Sequence, residues 1–177
     1  MNEYLEEFRA LQSENTFRGE QWFGSRQHLV EEYSWAVPGE DVLLYLSNFC
    51  DIVEIGAGNG YWASLLHDEG VTVHASDIDP PEETHHDVEK EDFYQSSPDL
   101  SDRAVMLIWP PYDTRLAEDV AREGPAHLLY VGEPRGGCTA NDGFFDVLKR
   151  RYGLVATIDI PSYVGVNDQF YHYVRKV

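Results

Sequence analysis

Apolar residues recur at helical spacing in three segments before residue 50. These segments are 2–12, 26–34 and 40–48. The stretch 13–25 is polar and contains glycine, which predicts a loop between the first two helices. We therefore expect residues 1–49 to form an N-terminal helical extension.

From residue 51 onward, short apolar runs alternate with amphipathic stretches. The runs typical of strands are 51–56, 71–77, 104–111 and 127–133. The helical stretches are 60–68, 114–122 and 141–151. This alternation predicts an α/β domain with a parallel sheet over residues 50–177. The polar stretch 80–102 has room for a short strand.

The chain closes on two strand-like runs, 154–161 and 169–177, with no helical stretch between them. Parallel neighbours need a long crossover connection, whereas antiparallel neighbours do not. We therefore predict an antiparallel hairpin at one edge of the sheet.

The first apolar run leads into three glycines spaced by two, Gly56, Gly58 and Gly60, and a helix follows. Glycines allow a tight turn and let a ligand approach the backbone. Glu54 precedes this loop and would repel a pyrophosphate, whereas Asp77 ends the next run, where an acid can accept ribose hydroxyls. Two acids and no basic residue in the loop favour a nucleoside that carries positive charge, such as S-adenosylmethionine (SAM).

On these residues the sequence resembles the class I SAM-dependent methyltransferases: VEIGAGNG is similar to their first motif and SDIDP to their second. The resemblance implies an α/β fold with a seven-stranded, mostly parallel sheet flanked by helices and an antiparallel last strand. It also implies S-adenosyl-L-methionine as the cofactor and a role as a lid for the N-terminal helical extension, residues 1–49. The loop and Glu54 would then lie under the methionine part of the cofactor, with Asp77 and Ile78 at the ribose.

The same resemblance predicts an acidic residue followed by an apolar one against the adenine. Asp92 and Phe93 are the candidates, with Glu89 and Asp87 as rivals. The pattern of the sequence leaves this choice open.

The run 104–108 ends in Trp109-Pro110-Pro111-Tyr112-Asp113. It is similar to the segment with which amino-group methyltransferases of this family bind their target, where Asn or Asp precedes Pro-Pro-Tyr. An indole N–H only donates, so Trp109 cannot accept a hydrogen bond from a target amino group. Trp109 and Pro110 could still orient a nucleophile through their carbonyls, Tyr112 could stack on it, and Asp113 could act as a base.

This departure from the motif makes a nucleobase acceptor doubtful and leaves the acceptor open: an N or O nucleophile on a small molecule, a protein or a nucleic acid. It also keeps an alternative open, a non-catalytic methyltransferase-like module in which Trp109 fills the acceptor space. A nicotinamide-dependent oxidoreductase is disfavoured, because the loop reads G-x-G-x-G and Glu54 precedes it.

The charge balance bears on the environment of the protein and on its binding partners. Lys plus Arg is 13, of which only three are lysines, against 32 Asp plus Glu, for a formal net charge of −19. Such a chain repels nucleic acid and anionic membranes in ordinary salt. Many acids with few lysines also suit a salt-saturated cytoplasm, that of a haloarchaeon or its virus, where charges are screened within about 3 Å at 1 M salt.

The remaining features predict less. Cys50 and Cys138 are too few and too far apart for a metal site, and we expect both to be buried. Arg26 is a candidate partner for the cofactor carboxylate, and Glu133 and Arg135 are candidate substrate contacts. The first residues lack the basic and apolar regions of a signal peptide, so we expect a cytoplasmic protein without a membrane partner.

Overall fold

The computed structural model of the protein describes residues 1–13 and 20–176, with the backbone alone for 20–25. The helices are α1 (Glu3–Ser13), α2 (Glu20–Glu32), α3 (Glu40–Leu46), α4 (Tyr61–Asp68), α5 (Phe93–Ser96), α6 (Leu116–Glu123) and α7 (Asp142–Arg151). The strands are β1 (Asp51–Ile55), β2 (Thr72–Asp77), β3 (Val88–Lys90), β4 (Ala104–Ile108), β5 (His127–Gly132), β6 (Tyr152–Asp159) and β7 (Gln169–Arg175). Among these helices, none is long and apolar enough to cross a membrane.

The N-terminal helices differ from the prediction at one place. Helix α2 already begins at Glu20, so the loop predicted over 13–25 is wrong for residues 20–25, while residues 14–19 lie outside the described part of the chain. Gly24 suggested a loop, because glycine in a helix interior costs about 1 kcal/mol relative to alanine. Burial of Leu29 and Tyr33 on the same segment offsets such a preference.

The strands form one seven-stranded sheet in the order β3-β2-β1-β4-β5-β7-β6. The first five of these strands are parallel, and β7 lies antiparallel between β5 and β6. The predicted fold class is therefore confirmed, as is the closing hairpin. The short strand β3 lies within the polar stretch 80–102, where the pattern had room for one.

Two layers of helices cover the two faces of the sheet. Alternate residues of β4 belong to different cores, with Met106 packed on one side and Val105 on the other, as the two-residue period of a strand requires. The first core also contains buried residues of α1, α3 and α4, and the second those of α6 and α7. Residues 1–49 thus share a core with the sheet, and their role as a lid stays a prediction.

The strand order reverses between β1 and β4. Strands β2 and β3 lie on the outer side of β1, whereas β5 lies on the opposite side, next to β4. Ligands of open α/β sheets bind beyond the carboxyl ends of the strands at such a point. The segments that follow β1, β2 and β4 all begin at this edge, and they contain most of the residues that the sequence singled out.

Candidate functional site

A cavity of about 380 Å³ opens beyond the carboxyl ends of β1, β2 and β4. Its walls come from the glycine loop, the residues after β2, the start of α5 and the Trp109 segment, with Trp35 on the remaining side. A smaller cavity of about 170 Å³ adjoins it, since Trp35, Gly56, Gly58 and Ile108 line both. Most of the predicted site residues therefore surround one connected space.

The glycine loop has the backbone geometry that its spacing predicts. Gly56, Gly58 and Gly60 have φ angles of +75°, +58° and +75°, in the left-handed region that residues with a Cβ atom rarely adopt. A Cβ on Gly60 would lie 2.7 Å from Val88 Cγ2, whereas a Cβ on Gly58 would meet nothing within 4 Å. Gly60 thus allows close packing against β3, and Gly58 leaves the cavity side of the loop open.

Asp77 links β2 to this loop. Its Oδ2 accepts a hydrogen bond from the Gly58 N–H at 2.8 Å, and its Oδ1 accepts one from the Asp79 N–H at 2.9 Å. The side chain lines the larger cavity. Each carboxylate oxygen can accept a further bond, so Asp77 can fix the loop and still receive hydroxyl groups from a ligand.

Glu54 is the most unusual group of the site. The side chain is 2% exposed and lines the smaller cavity, and its Oε2 has no hydrogen-bond partner. Burial, with a contribution from the Asp77 charge, raises the pKa of Glu54 to about 8. An ionised carboxylate at this place requires a cation or a donor from outside the described residues.

The structure also separates the acids near the predicted adenine position. Ile78, Asp92 and Phe93 line the larger cavity, together with Glu91 and Tyr94, which the sequence did not single out. The rivals Asp87 and Glu89 line a different depression beside β2 and β3. The Asp92 carboxylate caps α5 by accepting the Tyr94 N–H at 2.9 Å, so it also positions Phe93.

Trp109 follows β4 with a φ angle of +50°, a strained conformation for a bulky residue. Its indole stacks on Trp35 with the ring centroids 5.1 Å apart, and its Nε1–H donates to Asp168 Oδ1 at 2.8 Å. The indole is thus held towards the loop before β7, and the cavity beside the glycine loop stays open. Pro110 lines this cavity as well.

The other two residues predicted at the acceptor position lie elsewhere. Tyr112 is 47% exposed, Asp113 is also exposed, and neither lines the cavity. Pro111, which pairs with Thr139 in an isolated β-bridge, and Thr114 both line the cavity, but the two residues between them do not. The described structure thus does not bring a stacking tyrosine or a base from this segment to the transfer position.

Arg26 of α2 lies against the tryptophan pair and lines neither of the two cavities. The centre of its guanidinium is 5.9 Å from the Trp35 and Trp109 rings and 5.2 Å from the Tyr163 ring. Asp168 is 5% exposed, and its burial raises the pKa of its carboxyl to about 6. The hydrogen bond from Trp109 and the charge of Arg26 counteract part of this rise. Sequence reasoning missed Tyr163 and Asp168, because they lie in an irregular loop without a motif.

One further prediction differs from the structure, and two candidate substrate contacts have structural partners. Both cysteines, Cys50 and Cys138, are exposed, so the prediction that they are buried is wrong; each lies in a connecting segment rather than in the core. The Glu133 carboxylate accepts the N–H groups of Cys138 and Asn167, and Arg135 pairs with acids of α7. Both side chains therefore have structural partners. The described residues contain no group of three His, Cys, Asp or Glu side chains that could hold a metal ion.

Comparison with known proteins gives a fold and no closer relationship. No model of a protein family matches the sequence, and no curated protein does. Among solved structures, magnesium protoporphyrin IX methyltransferase from Synechocystis PCC 6803 with bound SAM matches with a TM-score of 0.57 and 13% identity, over 77% of each chain. The 1,6-didemethyltoxoflavin-N1-methyltransferase from Burkholderia thailandensis, with its substrate and S-adenosylhomocysteine bound, matches at 0.53 and 12%, over 90% of this chain and 92% of that one.

A TehB-like SAM-dependent methyltransferase from Corynebacterium glutamicum matches with a TM-score of 0.51 and 18% identity, over 88% of this chain and 97% of that one. The coverage includes most of both chains. At such low identity these likenesses establish the fold, which is that of the SAM-dependent methyltransferases. The activity has to be argued from the site itself.

Proposed function

We propose that this protein is a SAM-dependent methyltransferase that transfers a methyl group to an N or O nucleophile. The observation that carries the proposal is Glu54, a buried carboxyl with an unpartnered oxygen, beside a cavity at the switch point of the sheet. The described residues that line the two cavities include acids and no lysine or arginine. Such a site favours a cationic ligand and disfavours a pyrophosphate.

The residues around the cavity suit the parts of S-adenosylmethionine. Glu54 and the loop of Gly56, Gly58 and Gly60 would hold the methionine part, since the ammonium group supplies the donor that Glu54 Oε2 lacks. Asp77 would accept the ribose hydroxyls. The apolar faces of Ile78 and Phe93 would enclose the adenine, with Asp92 at its edge.

When bound, the cofactor supplies a methyl group on a sulfonium sulfur. The protein's part is then to align an acceptor with that methyl group and to exclude water, which can lower the barrier without a covalent protein intermediate. Trp109 and Pro110 lie at the end of β4, where their carbonyl groups could orient the nucleophile. Tyr112 and Asp113 could contribute only if the segment after Pro111 moved.

The alternative, a methyltransferase-like module without activity, requires Trp109 to fill the acceptor space. The indole bonds to Asp168 and stacks on Trp35, and a cavity remains between it and the glycine loop. This arrangement favours an enzyme. The acceptor could still belong to a small molecule, a protein or a nucleic acid.

The test is calorimetric titration of the protein with S-adenosylmethionine and S-adenosylhomocysteine in high salt. We expect Asp77→Ala to weaken binding by at least about ten-fold, which corresponds to 1.4 kcal/mol, roughly one lost charge-assisted hydrogen bond. Asp79→Ala serves as the matched control, because its carboxylate faces Lys90 at the surface. If the native protein binds neither compound, or binds both as well after Asp77→Ala, the proposal is wrong.

A second readout isolates Glu54. At about pH 7 its carboxyl is mostly protonated in the empty protein, and a bound ammonium group would favour the ionised form. We expect ligand binding to release up to one proton, visible as a binding enthalpy that changes with the ionisation enthalpy of the buffer. In Glu54→Gln this buffer dependence should vanish.

We also propose that the acidic surface is an adaptation to a salt-rich environment. The net charge of −19 supports this, because self-repulsion destabilises a compact state and salt screens it. Raising KCl from about 0.2 M to about 2 M should raise Tm by at least roughly 5 °C, or about 1–2 kcal/mol for a chain of this length. An unchanged or lower Tm would contradict the proposal.

A further inference from the structure

Among the described residues, Arg26 contacts aromatic rings and interacts through its charge with Asp168. Its guanidinium faces Trp35, Trp109 and Tyr163, and within the described part of the chain no hydrogen bond or ion pair reaches it. Its Nε is buried and has no partner. A guanidinium with an N–H that loses its hydration without gaining a hydrogen bond is held weakly, since the rings recover only about 0.5–2 kcal/mol.

The surroundings of Arg26 form a binding site for a cation. Stacked Trp35 and Trp109 provide one wall, and Tyr163 provides another. The Asp168 carboxylate lies behind the indole of Trp109 and is almost fully buried. We call this set, Trp35, Trp109, Tyr163 and Asp168, the aromatic cage. Rings that enclose a site, with a carboxylate behind them, are the arrangement that binds guanidinium and methylated ammonium groups.

The aromatic cage adjoins the proposed transfer position. Trp35 and Trp109 line the cavity between the glycine loop and Pro110 with one part of their surface and contact Arg26 with another. The cage and the cofactor cavity therefore meet at the tryptophan pair. Trp35 is 52% exposed, so this wall is open to solvent.

We propose that the aromatic cage binds the methyl acceptor, that the acceptor is an organic amine or guanidine, and that Arg26 takes the place of this group in the empty protein. The proposal rests on the methyltransferase function proposed above and specifies its substrate class. The acceptor displaces Arg26, which regains hydrogen bonds to water at the surface.

An anionic acceptor bound by Arg26 is the opposite possibility, and the charges oppose it. Asp168 and Glu133 are both buried near this place and would repel an anion. Among the rings of the cage, the Trp109 N–H already bonds to Asp168, and the hydroxyls of Tyr163 and Tyr4 share one hydrogen bond. The Trp35 N–H and one hydroxyl hydrogen remain as neutral donors, which do not offset the repulsion of an anion by two buried acids. The net charge of −19 adds a long-range preference for cations.

The chemistry balances without a further reactant. An acceptor nitrogen in its unprotonated form uses its lone pair to form the new nitrogen–carbon bond. The bond between the methyl carbon and sulfur breaks, and its electron pair stays on the sulfur, which becomes a neutral thioether. The positive charge moves to the acceptor nitrogen, and the aromatic cage is suited to that charge. A proton that the amine carried on arrival is lost to solvent before the step.

The experiment titrates the protein and Arg26→Ala with tetramethylammonium and methylguanidinium at constant chloride, with tryptophan fluorescence as the readout. Removal of Arg26 empties the cage, so we expect both cations to bind Arg26→Ala at least about ten-fold more tightly than the unsubstituted protein. The neutral tert-butanol and the anion acetate should not bind. Trp35→Ala in the Arg26→Ala background should weaken cation binding by about five-fold or more, the loss of one cation–π contact.

Arg9→Ala is the charge-matched control, because Arg9 pairs with Glu40 at the surface of α1. It should bind the cations no better than the unsubstituted protein. If Arg26→Ala does not fold, Arg26→Met keeps the aliphatic stem and should show the same gain. Saturable binding of acetate that is lost on removal of Arg26 would overturn the proposal, as would the absence of saturable cation binding in folded Arg26 variants.

Titration of the same variants with S-adenosylhomocysteine separates this proposal from the proposed function. Binding of the homocysteine compound without cation binding would contradict the cage alone. Cation binding without cofactor binding would leave the aromatic cage as a cation site and contradict the methyltransferase function.

Discussion

Glu54 and Arg26 are the two described side chains with a buried polar atom that lacks a hydrogen-bond partner, and both lie near Trp35. Glu54 projects from a central strand, between neighbours that are fixed by the sheet on both sides. Arg26 projects from a helix and, among the described residues, contacts aromatic rings without a hydrogen bond. The Glu54 carboxyl is therefore fixed in position and available to a ligand, whereas the Arg26 side chain can leave its place.

The comparison teaches where each half of the site obtains its specificity. On the cofactor side, the backbone of the glycine loop and the unpartnered Glu54 carboxyl determine which ligand can bind, and both are in place without the ligand. On the acceptor side, a displaceable side chain occupies a site of matching chemistry. A rigid half and an adjustable half suit a protein that uses one cofactor and has to choose its acceptor.

Glu54→Gln should give the largest change in stability. The folded-state pKa of Glu54, about 8, lies above the ordinary value of 4.5, so the stability that its protonated form contributes is complete below about pH 4.5 and is lost as pH rises through 8. Glutamine stays neutral. We expect the variant to be more stable than the unsubstituted protein by on the order of 5 kcal/mol at about pH 9, since each pKa unit corresponds to 1.36 kcal/mol.

Urea unfolding at about pH 4 and about pH 9 measures this effect, with the exposed Glu89→Gln as the control. The two proteins should be nearly equal at the lower pH. A pH-independent difference would mean that Glu54 has a partner in solution, and the contrast with Arg26 would fail.

The rigidity of the acid side can be tested at its loop. Gly60→Ala should destabilise the protein by about 2–3 kcal/mol, because a left-handed φ angle is combined with a Cβ only 2.7 Å from Val88 Cγ2. Gly58→Ala has a similar φ angle but open space around the new methyl group, so about 1 kcal/mol of strain is expected. Thermal unfolding compares the two, and equal losses would show that the loop is not packed against β3 as described.

The same contrast explains how much the sequence could predict. Apolar runs predicted the strands, and glycine spacing predicted a loop with left-handed backbone, because both depend on local chemistry. Asp77 could be found since it ends a strand beside that loop. The ranking of Asp92 over Asp87 and Glu89 could not, because it depends on which side of a three-residue strand each acid faces.

The acceptor side lay beyond sequence reasoning for a physical reason. Arg26, Trp35, Trp109, Tyr163 and Asp168 come from four segments that only the folded sheet brings together. In the sequence, Trp109 stands where the Pro-Pro-Tyr motif has Asn or Asp. Its hydrogen bond to Asp168 shows that a carboxylate does lie at this place, supplied by the loop before β7 rather than by the motif.

Asp168→Asn should give the smallest change. Burial raises the pKa of Asp168 to about 6, so by the same sign its favourable contribution is complete below about pH 4 and is lost as pH rises through 6. Unlike Glu54, Asp168 accepts the Trp109 N–H and has the Arg26 charge nearby, so its ionised form costs less. Asparagine can still accept the indole N–H, and we expect a gain of about 1 kcal/mol or less at about pH 8.

Urea unfolding at about pH 4 and pH 8 measures this, with near-ultraviolet circular dichroism to report the tryptophan pair. A loss of more than about 1 kcal/mol at the higher pH would show that Asp168 and Arg26 stabilise each other strongly. Arg26 would then be a fixed part of the wall, and the contrast between a rigid and an adjustable half would have to be abandoned.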